Sequence, residues 1–401
     1  MKDDSNQGGP LAGLRIIDIT EVVMGPSATQ MLADLGADVI KVEPPGGDML
    51  RATGPGGRSG AGPLFLNLNR NKRSIVLDLK RPEGKEAALK LAQTADALVY
   101  NVRPQAMKRL GLDYEAVRQL NPRIVYVGTF GFSQRGRYAA LRAFDDLIQA
   151  AVAIPEASLR AGSDVPRYAP LNLSDRATGL YAFGVICAAL LARERTGRGQ
   201  SVDVPMFETT AQMMLGDHLY GHTFVPPRGG FGYPRLLNPQ RRPYATQDGL
   251  VCLVVYTDEQ WKAFMRAVGE AERFESDPRF ADGESRTQHV EALYEILADK
   301  LKTQDHAGMA RAAGAARHPG AAGAHLRVAA GRSAPAGHRV LPAIRASHRG
   351  RAANDGGAQR VAANAAAAAA PAAAAGRAQR ATAGRGRLFA RADRRDGRRP
   401  A

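Results

Sequence analysis

The chain has 401 residues, 44% of them apolar, which is enough for two ordinary domains with a real core. Its two cysteines, Cys187 and Cys252, lie far apart in apolar surroundings and argue against a disulfide framework or a cysteine metal cluster, so a cytoplasmic setting is expected. The net charge of +16 sits almost wholly at one end: residues 303–401 hold 18 Arg, no Lys and four Asp, whereas residues 1–302 hold 37 bases against 35 acids, so the charge does not mark the body as a nucleic-acid binder.

In chain order, residues 1–10 lack the apolar stretch of a leader and are expected to be disordered, with no export and no membrane segment. Residues 14–19 (LRIIDI) read as a buried strand, 26–35 as a helix closed by Gly36, and 37–43 (ADVIKVE) as a second strand. The turn between them, TEVVMGPSA, has Gly25 alone where a dinucleotide site would carry G-x-G-x-x-G, which rejects a nicotinamide site. The glycine-rich stretch 46–63 reads as a loop. Strands are expected at 74–79, 97–102 and 124–129, with helices at 82–94, 105–110 and 114–120. Such alternation specifies an α/β fold with a parallel sheet covered on both faces, and ligands bind such sheets beyond the carboxyl ends of the strands. The loops there carry Lys80, Asn101, Arg103, Arg109 and, further on, Arg142; each Lys or Arg alone is a surface charge, and several at successive strand ends make a candidate phosphate site.

The stretch 171–200 (LNLSDRATGLYAFGVICAALLARERTGRGQ) centres on Asp175. Residues 178–192 suit a helix buried on most sides, with Ser174 and Asp175 starting it. A carboxylate there accepts unpartnered backbone N–H groups, meets the positive end of the helix dipole and stays ionised at neutral pH. It either caps the helix or attacks an activated acyl group. A short strand at 201–204, a helix at 206–220 and a Pro/Gly segment at 226–243 follow; then come a hairpin at 244–256 turning at Asp248-Gly249 and helices at 258–268 and 288–301. The organisation expected is a large domain over 11–225 and part of a smaller α+β domain over 226–302. Residues 303–401 have one aromatic, Phe389, and runs such as AANAAAAAAPAAAAG. They read as the out-of-frame translation of a GC-rich gene, low in complexity and disordered, the alternative being a basic nucleic-acid-binding tail.

Along residues 11–302 the sequence resembles the class III CoA-transferases, the family of formyl-CoA and carnitine CoA-transferases. LAGLRIIDITEVVMGPSATQMLADLGADVIKVEPPGGD, LNLNRNKRSIVLDLKRPEGK, NVRPQAMKRLGLDYEAVRQLNPRIVYVGTFGFS, AFDDLIQA and LSDRATGLYAFGVICAALLARERTGRGQSVDVPMFE carry the likeness. The resemblance implies that Asp175 is the nucleophile, passing CoA from a thioester to an acceptor carboxylate through an aspartyl anhydride and an aspartyl-CoA thioester. It implies CoA contacts at Val22, Val23, Leu77, Asp78, Leu79, Lys80, Asn101, Val102, Arg103, Arg109 and Arg142, with Asp145 at the matching acidic position. It also implies no metal, no permanently bound cofactor, acyl-CoA and carboxylate partners without nucleic acid or membrane, and a homodimer of interlocked rings. Formyl-CoA transferase has a Gln where Val23 stands, and its glycine lid is reduced here to Gly229, Gly230 and Gly232, which turns the expected acceptor away from formate and oxalate. The related α-methylacyl-CoA racemases, the alternative activity, need a His where Phe144 stands. An inactive product of a disrupted gene is the further alternative.

Overall fold

The computed structural model describes residues 8–55 and 62–305 and, beyond them, short strand segments between residues 320 and 353. The first half alternates strand and helix: β1 (Arg15–Ile19), α1 (Met24–Asp34), β2 (Asp38–Glu43), α2 (Pro63–Asn69), β3 (Arg73–Val76), α3 (Pro82–Gln93), β4 (Ala97–Tyr100), α4 (Pro104–Leu110), α5 (Tyr114–Leu120), β5 (Val125–Phe130), α6 (Asp145–Ala151), α7 (Ile154–Arg160), α8 (Leu173–Thr196), β6 (Gln200–Pro205) and α9 (Met206–His218). The strands form one six-stranded sheet in the order β3-β2-β1-β4-β5-β6, and every neighbouring pair is parallel. This is the α/β class that the alternation specifies.

Period-two side-chain alternation feeds both faces of the sheet. Ile16, Val39, Val99 and Val127 join α1 and α8 residues Leu32, Ile186 and Leu190 in one buried layer. Their strand neighbours Ile17, Ile40, Leu98 and Tyr126 join Ala88, Met107 and Val117 from the helices of the other face. Connections leave β1 and β4 toward opposite faces, so the crevice of this sheet opens beyond the carboxyl ends of these adjacent strands.

A separate cluster follows. β7 (Tyr244–Ala245) and β8 (Leu250–Leu253) make the expected hairpin, packed with α10 (Asp258–Ala267), α11 (Ala271–Ser276), α12 (Gly283–Gln288) and α13 (Val290–Lys302). Trp261, Phe264, Phe280, Leu293 and Leu297 fill its core. A capping box between Thr257 and Gln260 starts α10. A third strand, β9 (Gly320–Ala322), pairs antiparallel with β8. Apart from residues 303–305 and the strand segments, the out-of-frame tail expected over 303–401 lies outside the described residues. Of the N-terminus expected to be disordered, residues 1–7 lie outside them too, while residues 8–10 form a turn whose Gly9 lies against the backbone of Leu35 and Gly36.

Five of the described helices escape the sequence pattern: α2, α6 and α7 have seven residues and α11 and α12 six, lengths at which a 3.6-residue period is a weak signal, although α4 and α5, also of seven residues, were expected. α8 departs in another way: at 24 residues it is, by length and composition, long and apolar enough to cross a bilayer, longer than the run read from the sequence. It is a core helix on one side only. Ala182, Ile186 and Leu190 face the sheet, whereas Leu180, Tyr181 and Leu191 are exposed, correcting the expectation of burial on most sides. Where α8 crosses the start of α1, Gly179 permits the contact: a Cβ there would collide with Ser27 Oγ and lie 2.8 Å from the Met24 carbonyl oxygen. Gly179→Ala is therefore expected to cost roughly 1–3 kcal/mol of stability by overpacking. Urea unfolding measures it, and an unchanged midpoint would show that the crossing has slack.

Candidate active site

The turn after β1 and the start of α4 after β4 meet across the crevice. Glu21 donates its N–H to Asn101 Oδ1 at 3.1 Å, and Asn101 Nδ2 donates to the Glu21 carbonyl at 2.8 Å. Val22 then takes φ +71°, a left-handed conformation that costs a β-branched residue on the order of 1–3 kcal/mol. The chain enters α1 at Met24 with Val23 as a cap that has no side-chain acceptor. The positive end of α1 thus opens beside the turn.

Two clefts flank this junction and share Glu21. The smaller, about 260 Å³, is walled by the Glu21–Met24 turn, the end of β5 with its following loop, and the start of α8. It gathers Val22, Val23, Asn101, Arg103, Arg142, Asp145 and Asp175. The larger, about 710 Å³, lies over the ends of β2 and β3 and gathers Leu77, Asp78, Leu79, Lys80, Val102 and Arg109. Every candidate residue named from the sequence therefore lines one of two adjoining spaces. Lys80, Arg103, Arg109 and Arg142 are exposed, with no ion pair among the described residues.

Asp175 is placed differently from the expectation. α8 begins at Leu173 after Asn172, so Asp175 lies inside the first turn and no side chain caps the helix. Its own N–H is the group that is satisfied, donating to Asp145 Oδ1 at 2.8 Å. Asp145, buried at the start of α6, receives Gln149 Nε2 on its other oxygen at 2.6 Å. Gln149 Oε1 in turn accepts the Ala169 N–H at 2.8 Å, which ties the approach to α8 into the same unit. Asp145 thus has protein partners on both oxygens.

Burial, and then the neighbouring Asp145 charge, push the Asp175 carboxyl up to about 7, with Arg176 pulling weakly the other way. The expectation of a fully ionised carboxylate is corrected. A helix start contributes typically 0.3–1 kcal/mol to a carboxylate, less than desolvation and a like charge remove together. Half-charged near neutrality, the group is a candidate functional residue and not a cap of α8.

Sequence reasoning missed three features of the site. Glu21 joins the two clefts but has no charged neighbour in sequence to single it out. The Thr129–Phe132 segment and Met206 contribute walls from apolar strand ends that read as core. Gln149, one helical turn after Asp145, was legible only as an i, i+4 pair once α6 was known. Phe144 is 62% exposed at the rim, and no His lines the smaller cleft among the described residues. Gly229, Gly230 and Gly232 line neither cleft. Val23 is buried with Leu50, Phe65 and Leu68 and presents no polar group.

Comparison with known proteins agrees with this geometry. The chain matches the family model of CoA-transferase family III over residues 11–336, further than residue 302, where the resemblance read from the sequence stops. It is 35% identical over 312 residues to the succinate–glutarate CoA-transferase of Agrobacterium fabrum, covering 75% of this chain and 77% of that protein. It is 36% identical over 300 residues to the acetyl-CoA:oxalate CoA-transferase of Acetobacter aceti, covering 74% and 76%. Its fold is similar to the crystal structure of the D175A mutant of Rv3272 from Mycobacterium tuberculosis, with a TM-score of 0.73 at 26% identity, over 87% of this chain and 91% of that one. A parallel sheet whose crevice holds a half-buried, half-charged aspartate beside exposed cations, and a family match over most of its length, lead to one conclusion: the chain belongs to CoA-transferase family III and is a CoA-transferase.

Proposed function

We propose that the enzyme moves CoA from an acyl-CoA to a carboxylic acid through covalent intermediates on Asp175. The observation that carries this reading is the pair of adjoining clefts, with Asp175 in one and Lys80 and Arg109 in the other. A CoA thioester laid along them puts its phosphates near the cations and its carbonyl near the carboxylate. The ionised Asp175 oxygen adds to the thioester carbonyl and CoA thiolate leaves, giving a mixed anhydride. The thiolate then attacks the aspartyl carbonyl, releasing the donor carboxylate and leaving an aspartyl-CoA thioester. The acceptor carboxylate attacks that thioester to form a second anhydride, and the returning thiolate takes the acceptor acyl group and restores the Asp175 carboxylate.

Asp145 holds the main chain of Asp175 in place, and its charge adds to burial in keeping part of the Asp175 carboxyl protonated near neutrality. Val23 offers no donor to a small acid, which supports an acceptor larger or more apolar than formate or oxalate, such as a dicarboxylate or a short branched acid. A homodimer belongs to the same reading, supported by the exposed Leu180, Tyr181 and Leu191 along α8. So does a reducing, cytoplasmic setting, supported by two free cysteines.

Three outcomes are expected. Hydroxylamine added after succinyl-CoA or acetyl-CoA should leave a hydroxamate on the peptide containing Asp175, and Asp175→Ala should abolish transfer to every acid in an acceptor screen; full transfer by that variant would sink the proposal. Lys80→Ala and Arg109→Ala should each raise KM for the acyl-CoA about ten-fold while changing kcat little, since each removes a charged hydrogen-bond donor remote from the chemistry. An unchanged KM would mean that the phosphates lie elsewhere.

The third outcome concerns pH. Because attack needs the ionised carboxylate, kcat/KM should rise with pH through about 7 and level off above it. The same shift has a signed effect on stability. The unfolded chain releases this proton near the usual carboxylate value of about 3.9, whereas the folded protein holds it up to about 7, so the stability it provides is present below pH 4 and lost as pH rises through 7. Asp175→Asn should therefore raise Tm at pH 8 and leave it unchanged at pH 4. Equal shifts at both pH values would contradict the raised carboxyl.

A further inference from the structure

Behind the Glu21–Met24 turn lies a group of charges that reaches neither cleft. Asp18 at the end of β1, Lys41 in β2, Asp48 after it and Lys72 before β3 have side chains no more than 1% exposed. Lys41 Nζ pairs with Asp48 Oδ2 at 3.0 Å and donates to the Thr20 carbonyl at 2.7 Å. Asp18 Oδ1 accepts the N–H of Thr20 at 2.9 Å and its hydroxyl at 2.5 Å. Lys72 Nζ reaches Asp18 Oδ2 at 2.9 Å, and the Pro26 carbonyl and Thr29 Oγ1 of α1 at 3.0 and 2.8 Å. Two cations and two anions, all out of water, thus converge on the residue before the turn and on the helix after it.

Stability alone does not account for this arrangement. Replacing buried ion pairs with apolar side chains of similar volume is often neutral or stabilising, so an equally firm core could be built here without charge. What the charges supply is direction. A left-handed Val22 lowers its energy by relaxing to negative φ, and that relaxation would swing the Thr20–Glu21 and Glu21–Val22 peptides. Lys41 opposes it by gripping the Thr20 carbonyl from below, while Gly25 closes from above, where a Cβ would lie 2.5 Å from Thr20 Cβ.

We propose that Lys41, oriented by Asp48, is a positioning residue for acyl transfer: its grip on the Thr20 carbonyl holds the left-handed turn at Val22, and with it the Glu21–Met24 main chain that walls the cleft of Asp175. The inference rests on the CoA-transfer reading. It makes Val22 and Lys41 energetically coupled, because a glycine at position 22 adopts positive φ without strain and has less need of the grip.

The test is a double-mutant cycle of wild type, Lys41→Met, Val22→Gly and the double variant, each assayed for kcat and KM with acyl-CoA at a saturating acceptor acid. Lys41→Met should lower kcat about ten-fold when Val22 is intact, with a much smaller effect on KM, and only about two-fold in the Val22→Gly background, the difference reflecting strain of the size expected for a left-handed Val. Equal losses in both backgrounds, or no loss in either, would overturn the proposal and leave Lys41 a structural residue. Should Lys41→Met yield no folded protein, Asp48→Asn, which keeps its volume and its acceptor for the Leu50 N–H, replaces it in the cycle with the same two outcomes. Wild type and Asp175→Ala run alongside separate the two levels: transfer that survives without Asp175 refutes the reading of the site, whereas an additive cycle in an Asp175-dependent enzyme refutes only the role of Lys41.

Discussion

The architecture hangs on the divergence of two adjacent parallel strands. β1 and β4 are hydrogen-bonded along their length, yet the chain leaves them toward opposite faces, and the gap is bridged by the reciprocal hydrogen bonds between Glu21 and Asn101. That bridge creates two spaces where one open crevice would otherwise lie, one over β2 and β3 and one over β5 and α8. Under the proposed function, a long, flexible substrate with charge at one end and a reactive thioester at the other matches this division.

Within the smaller space, several effects compete at a single carboxyl. The dipole of α8 favours the charged form of Asp175, whereas burial and Asp145 favour the protonated form, and the latter two prevail. Asp145 accepts the Asp175 N–H and the Gln149 amide, one on each oxygen. The two nearby carboxyls thus differ in their hydrogen bonding as well as in their surroundings.

Much of this was legible in the residues. The strands were found because apolar runs such as IIDI and VIKV, closed by turn residues, suit a sheet buried on both faces; Lys80, Asn101, Arg103, Arg109 and Arg142 followed from the rule that such sheets bind ligands at their carboxyl ends, and the other contacts were implied only by the family resemblance. Asp175 was found by its place before a long apolar helix. Its protonation was not, because it depends first on burial and then on a carboxylate 30 residues earlier, neither of which the linear sequence places beside it. Lys41 read as an ordinary polar position in a strand and Lys72 as one just ahead of the next, since nothing in a linear sequence says that Asp48 and Asp18 meet them in the interior. The long helix was recognised, but its exposed apolar side was taken for core because hydropathy does not say which side has a neighbour.

The bare backbone at Gly179 has a mechanical consequence. One turn after Asp175, α8 rests on the Met24 carbonyl and Ser27 with no side chain of its own between them. The first turn of α8, which carries Asp175, and the opposite wall of its cleft are thus referenced to one another through a hard stop rather than a compressible cushion of methyl groups. The spacing across that cleft is set by the absence of a single carbon atom.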